Sequence, residues 1–193
     1  MVVVVDTCSL HRLVEYYLPL DKSGKIVPLL EGLFMSNDIL MTEAVHLECS
    51  RVSKGIILDK LPFLKSKEFK SHIIAAGTFL PDRTLMNIVN ESFTIKVRFN
   101  SLVPEQQEAQ KNAYLQSADF SLIICAYMQK KRMANDLFGD DLRILTDESA
   151  AENDNKCFKK IPSSCKAFDT KTINIREYLE FITDGKIELI ING

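Results

Sequence analysis

The chain has 193 residues, 24 Lys and Arg against 26 Asp and Glu, a formal net charge of −2 and 46% hydrophobic residues. This is enough apolar side chain for one domain with a real core, and it excludes a disordered or fibrous chain. The near-balanced charge excludes a uniformly basic nucleic-acid binder while leaving room for a basic rim around an acidic pocket.

Val2–Val5 is a continuous β-branched run, as expected for a strand buried on both faces in a parallel sheet. It ends at Asp6, and the spacing then predicts helices over 10–17 and 25–35, a short strand over 39–42 and a helix over 43–54 with Gly55 as its stop. Residues 61–104 read as a helical insertion or a clamp carrying Lys65, Lys67 and Lys70, with helices over 63–76 and 82–93 and a short strand over 94–98. Helices over 104–115 and 117–133 follow, then a polar turn over 135–141 and strands over 142–146 and 173–175. A helix over 176–182 and a terminal strand over 187–191 close the chain. Strands alternating with helices predict a single domain over 1–193: a three-layer α/β/α sandwich with a mostly parallel central sheet.

The five cysteines form no CxxC pair and no zinc-finger cluster, which points to a reduced, cytoplasmic protein. Met1 to Val5 lacks the basic start of a signal peptide, and no apolar stretch approaches the roughly 20 residues of a membrane span.

Four carboxylates stand out. Asp6 and Asp147 each follow a predicted strand, where sites of parallel sheets gather. Val45, Cys49, Val52 and Ile56 make one apolar stripe; Glu48 lies at its margin, about 70° from the centre, whereas Glu43 falls nearly opposite. Asp119 heads a helix beside Leu122, Ile123 and Ala126, with Ser117 as cap. Each has an ordinary role available, as an N-cap, a strand-ending turn, a solvated flank or a favourable charge in a first helical turn. Taken together they are better explained by convergence. Close carboxylates repel one another unless a cation compensates, and hard oxygen ligands suit Mg²⁺ or Mn²⁺.

These residues resemble a known family. Val-Val-Val-Asp-Thr over 3–7, followed by a helix, looks like the opening of PIN domains, a metal-dependent nuclease fold found in many toxin–antitoxin ribonucleases. Met-Thr-Glu-Ala-Val-His-Leu-Glu over 41–48 resembles their second strand and second-acid helix, a register that selects Glu48. Ser-Ala-Asp-Phe-Ser-Leu over 117–122 is similar to the third-acid helix, and Ile-Leu-Thr-Asp-Glu over 144–148 to the closing strand and fourth acid. The tail from Lys160 to Leu179 also looks like a mostly prokaryotic PIN-like subgroup. The resemblance touches residues 1–60 and 113–155. It implies a ribonuclease holding Mg²⁺ or Mn²⁺ through Asp6, Glu48, Asp119 and Asp147, with RNA as substrate, an antitoxin protein as one partner and a homodimer as another. Thr-Asp-Glu aligns two ways, so the fourth acid stays open among Asp147, Glu148 and Asp154. PIN domains often carry Ser or Asn two residues after the first acid, where this chain has Cys8; either Ser9 substitutes or the contact is missing.

No Gly-rich phosphate loop, Asp-x-Asp pair or GxSxG elbow supports another hydrolase or nucleotide fold. His11, His46 and His72 have no zinc spacing; His11 and His46 read as ordinary helix residues, with a phosphate contact from His11, close to Asp6, as the lesser alternative. Lys130, Lys131 and Arg132 suit a helix C-terminus. Lys156, Lys159 and Lys160 follow the fourth acid closely and suit either a phosphate-backbone rim or a solvated loop face. The sequence therefore predicts a metal-dependent endoribonuclease, with a catalytically inactive PIN-like scaffold or RNA-binding module as the alternative.

Overall fold

The structure is a computed structural model that describes residues 1–75, 77–133, 141–149 and 156–185. The predicted terminal strand, most of the 135–141 turn and Asp154 lie outside the described residues. Among the described residues, the centre of the structure is a four-stranded, wholly parallel sheet of order β2-β1-β3-β4, made of β1 (Val2–Val5), β2 (Ile39–Leu40), β3 (Leu142–Leu145) and β4 (Lys171–Ile173). Val3, Val4 and Val5 are all fully buried. Successive strand residues point to opposite faces, so β1 is covered on both sides, as its all-valine run requires. The α/β arrangement is thus as expected, and the covering of both faces is compatible with three layers.

The helices begin where polar caps end the strands. Asp6 is extended, and α1 (Thr7–Arg12) starts directly after it, three residues ahead of the predicted start; a π-helical turn, Leu13–Tyr17, continues it. Next come α2 (Ile26–Met35) and α3 (Glu43–Cys49), the latter capped by the Thr42 hydroxyl accepting from the Val45 amide. The helix predicted over 43–54 stops at Cys49 because Ser53 and Lys54 turn into the left-handed region. Gly55 shares that conformation (φ 82°), and a Cβ there would stand 3.2 Å from the Ser50 carbonyl oxygen, so glycine is favoured.

The segment 61–104 is largely helical. After α4 (Ile56–Lys60), a 3₁₀ turn, Pro62–Lys65, precedes α5 (Lys67–His72), α6 (Arg83–Ile88) and α7 (Lys96–Phe99). Two predictions change here. The long helix over 63–76 is broken by Ser66, which caps α5 through the Phe69 amide. The strand over 94–98 shrinks to one antiparallel bridge, Thr94 to Phe158. Phe63, Leu64, Phe69, Leu85, Val89 and Phe93 join the same hydrophobic core as the sheet. Lys65, one of the proposed clamp cations, is paired with Asp59 at 2.7 Å.

α8 (Pro104–Leu115) and α9 (Ala118–Met133) follow, and the Ser117 hydroxyl accepts from the Phe120 amide as the expected cap. The C-terminal cations of α9 are used structurally: Lys131 bonds Asp82 at 2.8 Å, Lys130 donates to the Phe168 and Asp169 carbonyls, and Arg132 lies over the Phe79 ring. Beyond β3 come α10 (Ile161–Cys165), β4 and α11 (Ile175–Ile182). β4 ends at Ile173, two residues before the end of the predicted strand, because Asn174 forms a capping box with Glu177, so Ile175 opens a helix. Among the described residues, no helix is long and apolar enough to cross a membrane.

Candidate functional site

The order β2-β1-β3-β4 means that the chain leaves β1 to one side and later returns to its other side. The carboxyl ends of β1 and β3 therefore flank a topological switch point, where parallel α/β sheets leave a crevice. Asp6 leaves β1 and Thr146 leaves β3, and the Thr146 hydroxyl donates to Asp6 Oδ2 at 2.8 Å. The backbone ladder continues into this edge, with the Asp6 amide donating to the Leu145 carbonyl.

An open depression of about 340 Å³ lies here, lined by carboxylates from four elements: Asp6 after β1, Glu48 from α3, Asp119 from α9 and Glu148 after β3. Thr7 aims Glu48 by donating to its Oε2 at 2.6 Å. Glu148 is aimed by the Ile161 amide, which donates to its Oε2 at 2.9 Å, and its own amide donates to the Thr146 hydroxyl. His11, Arg12 and Lys156 also line the depression. The His11 ring nitrogen lies 2.8 Å from the Ser53 hydroxyl and 3.3 Å from Glu15.

Asp147 is a correction. Its Oδ2 accepts from the Ser9 hydroxyl at 2.6 Å and from the Ile175 amide at 3.1 Å, and Arg12 stands 3.6 Å from Oδ1. The side chain, 6% exposed, ties β3 to α1 and to the start of α11, outside the set of groups lining the depression. Glu148 occupies the place in the depression that was expected of Asp147. The two residues are consecutive, but Ser9 and the Ile175 amide hold the Asp147 side chain while the Ile161 amide holds that of Glu148, so the two diverge.

Cys8 is the second departure. Its thiol donates to Asp6 Oδ2 at 2.8 Å and accepts from the Asp147 amide at 3.3 Å, so the contact is filled by Cys8 itself and Ser9 is spent on Asp147. Burial, together with the neighbouring Asp6 charge, pushes the thiol up to about 12. A thiol held in its protonated form is a poor nucleophile. In the folded protein Cys8 is therefore expected to resist iodoacetamide at pH 8 despite lining the depression, and to react on unfolding. Peptide mass mapping of the labelled sites reads this directly, and rapid native labelling of Cys8 would contradict it.

The electrostatics follow from the same geometry. Burial raises the Asp6 carboxyl, the Cys8 and Thr146 donors pull it back, and Glu48 adds to the rise. Asp119 is pushed up to about 6, first by burial and then by Asp6 and Glu148, with Lys156 opposing and Glu48 adding a smaller contribution. After burial, then, the other three acids all act on Asp119 in the same direction. All-oxygen donors in mutual repulsion fit a hard divalent cation. Among the described residues, no three His, Cys, Asp or Glu side chains meet closely enough to enclose an ion as they stand.

Sequence reasoning therefore located Asp6, Glu48 and Asp119 around one depression and placed Lys156 on its edge. It missed the orienting hydroxyls of Thr7 and Thr146, which carry no signal beyond following a strand. No family model, curated protein or solved structure matches the chain.

Proposed function

We propose that the chain is a metal-dependent phosphodiesterase with a PIN-like, three-layer architecture, cutting RNA. The observation that carries this reading is the set of four carboxylates lining one depression at the switch point of the sheet, with the Asp119 carboxyl raised by burial and then by its acidic neighbours. Asp6, Glu48, Asp119 and Glu148 would hold Mg²⁺ or Mn²⁺. A bound divalent cation supplies charge stabilisation to the phosphodiester in the transition state and lowers the pKa of an attacking water.

The chain's own residues supply orientation. Cys8 and Thr146 fix Asp6, Thr7 fixes Glu48, and the Ile161 amide fixes Glu148. Lys156, exposed at the mouth, draws the substrate phosphate toward a depression that would otherwise repel it. In this reading RNA runs past the carboxylates with its backbone along Lys156, Lys159 and Lys160.

A second reading, an RNA-binding module without catalysis, is favoured by the open spacing of the acids. One experiment separates the two. The purified chain is incubated with a mixed-sequence RNA in Mn²⁺, in Mg²⁺ and in excess EDTA, while Mn²⁺ binding is followed by calorimetry. Mn²⁺ binding with EDTA-sensitive cleavage is expected. RNA binding with neither metal uptake nor cleavage would establish the module instead.

A further inference from the structure

A second, larger cleft opens beside the acidic depression. It measures about 530 Å³, within the range of about 300–1,000 Å³ common for small-ligand sites. It shares Asp119, Glu148 and Lys156 with the depression, so the two form one continuous trough. Its lining is of two kinds. Part is apolar, from Leu102 and Ala113 to the paired rings of Tyr114 and Phe158. Part is cationic, from Lys156, Lys159 and Lys160, and among the described residues none of these ammonium groups enters an ion pair.

The walls are held in place. The Ile95 amide donates to the Cys157 carbonyl and the Lys159 amide to the Phe93 carbonyl, both at 2.8 Å, pinning 156–160 to the helical segment. Phe158 stacks on Tyr114 with centroids 4.1 Å apart and planes within 4°, and Phe99 meets Phe158 edge-on. The two stacked rings are less than a tenth exposed, so they form a floor and are not free platforms for intercalation.

A ligand for this cleft needs an anionic part beside a flat apolar part, with the anion within reach of the acidic depression. We infer that the cleft is a nucleoside subsite: it seats one unpaired nucleoside of the substrate strand next to the phosphate held at the carboxylates. This rests on the phosphodiesterase reading and adds the place where a base is recognised. The base face lies along the Leu102 and Ala113 wall, and the lysines take the flanking phosphate. The Gln110 amide, on the same rim, offers both a donor and an acceptor to a base edge. A duplex would not satisfy the apolar wall, because its base faces are stacked inside and its outer surface is sugar and phosphate.

The test is a titration of the full chain with the four nucleoside 5′-monophosphates and with ribose 5-phosphate in EDTA, by calorimetry and chemical-shift mapping. At least one nucleotide is expected to bind tenfold or more tightly than ribose 5-phosphate, with shifts at Gln110 and Ala113. Ala113→Trp, at an exposed helical position, fills the cleft and should weaken that binding at least tenfold; Lys159→Glu should do the same. Gln110→Ala should change the ranking among bases and leave the ribose 5-phosphate affinity unchanged. Equal affinity for ribose 5-phosphate and all nucleotides, absence of binding, or a folded Ala113→Trp variant that binds normally would overturn the inference. Because the measurement excludes metal, it stands whether or not the chain cleaves RNA. Nucleotide binding without metal-dependent cleavage would refute the phosphodiesterase reading alone.

Discussion

Asp119→Asn is expected to stabilise the folded chain above pH 7 and to leave it almost unchanged near pH 4. The native carboxyl is pushed up to about 6 from an ordinary 3.8, by burial and by Asp6, Glu148 and Glu48 against Lys156. Between those values the folded state binds more protons than the unfolded one, so stability falls as pH rises through the window. At about 1.36 kcal/mol per unit, the ionised group costs roughly 1–3 kcal/mol at neutral pH once residual hydration is allowed for. Asparagine is close in shape to the neutral acid and removes that cost. Thermal melts at pH 4, 6 and 7.5 should show curves converging at the acid end and separated by several degrees at the other. Mn²⁺ should stabilise the parent at pH 7.5 and progressively less toward pH 5, where protons compete for the oxygens, and should do less for the variant throughout. Equal melting temperatures at pH 7.5 without metal would show that neither burial nor the neighbouring acids raise the Asp119 carboxyl.

The largest effect on activity is expected to separate two adjacent residues. Glu148→Gln should reduce metal-dependent cleavage at least ~10²-fold with little loss of stability, as should Asp6→Asn, since even outer-shell changes at metal sites cost about 10–100-fold. Asp147→Asn should behave in the opposite way. It weakens the links to Ser9, Arg12 and the first amide of α11, and so should lower stability by about 1–2 kcal/mol while cleavage by the folded fraction persists. The measurement is a pair of readouts on each purified variant: cleavage rate in saturating Mn²⁺, and urea midpoint. Loss of cleavage in a fully folded Asp147→Asn protein, with Glu148→Gln active, would restore Asp147 as the fourth acid.

That pair also shows where the sequence stops being readable. Val2–Val5 announces itself, because four β-branched residues in a row suit only a strand covered on both faces, and Asp6 then falls at the sheet's carboxyl edge. Ser117 and the apolar face after it set Asp119 at a helix start, and helical periodicity is enough to choose Glu48 over Glu43. Thr146-Asp147-Glu148 has no such internal signal. Which acid faces the depression depends on the Ser9 hydroxyl and the Ile175 amide, both remote in sequence. The same limit explains 94–98: Thr94, Ile95 and Val97 are good strand formers, yet Phe158 offers only one bridge opposite them. It also explains α3, whose early end rests on left-handed turns at Ser53 and Lys54, residue types that rarely mark one.

The bond from Thr146 to Asp6 joins residues at |i−j| of 140, and those from Ser9 to Asp147 and between Cys8 and Thr146 span 138. During synthesis, then, β1 emerges first and waits with its acid half-dressed, since the hydroxyl that steadies it is still untranslated. The Thr146 hydroxyl and the Glu148 carboxylate join the crevice only once β3 has cleared the ribosome and slotted in beside β1, so until then the crevice is incomplete.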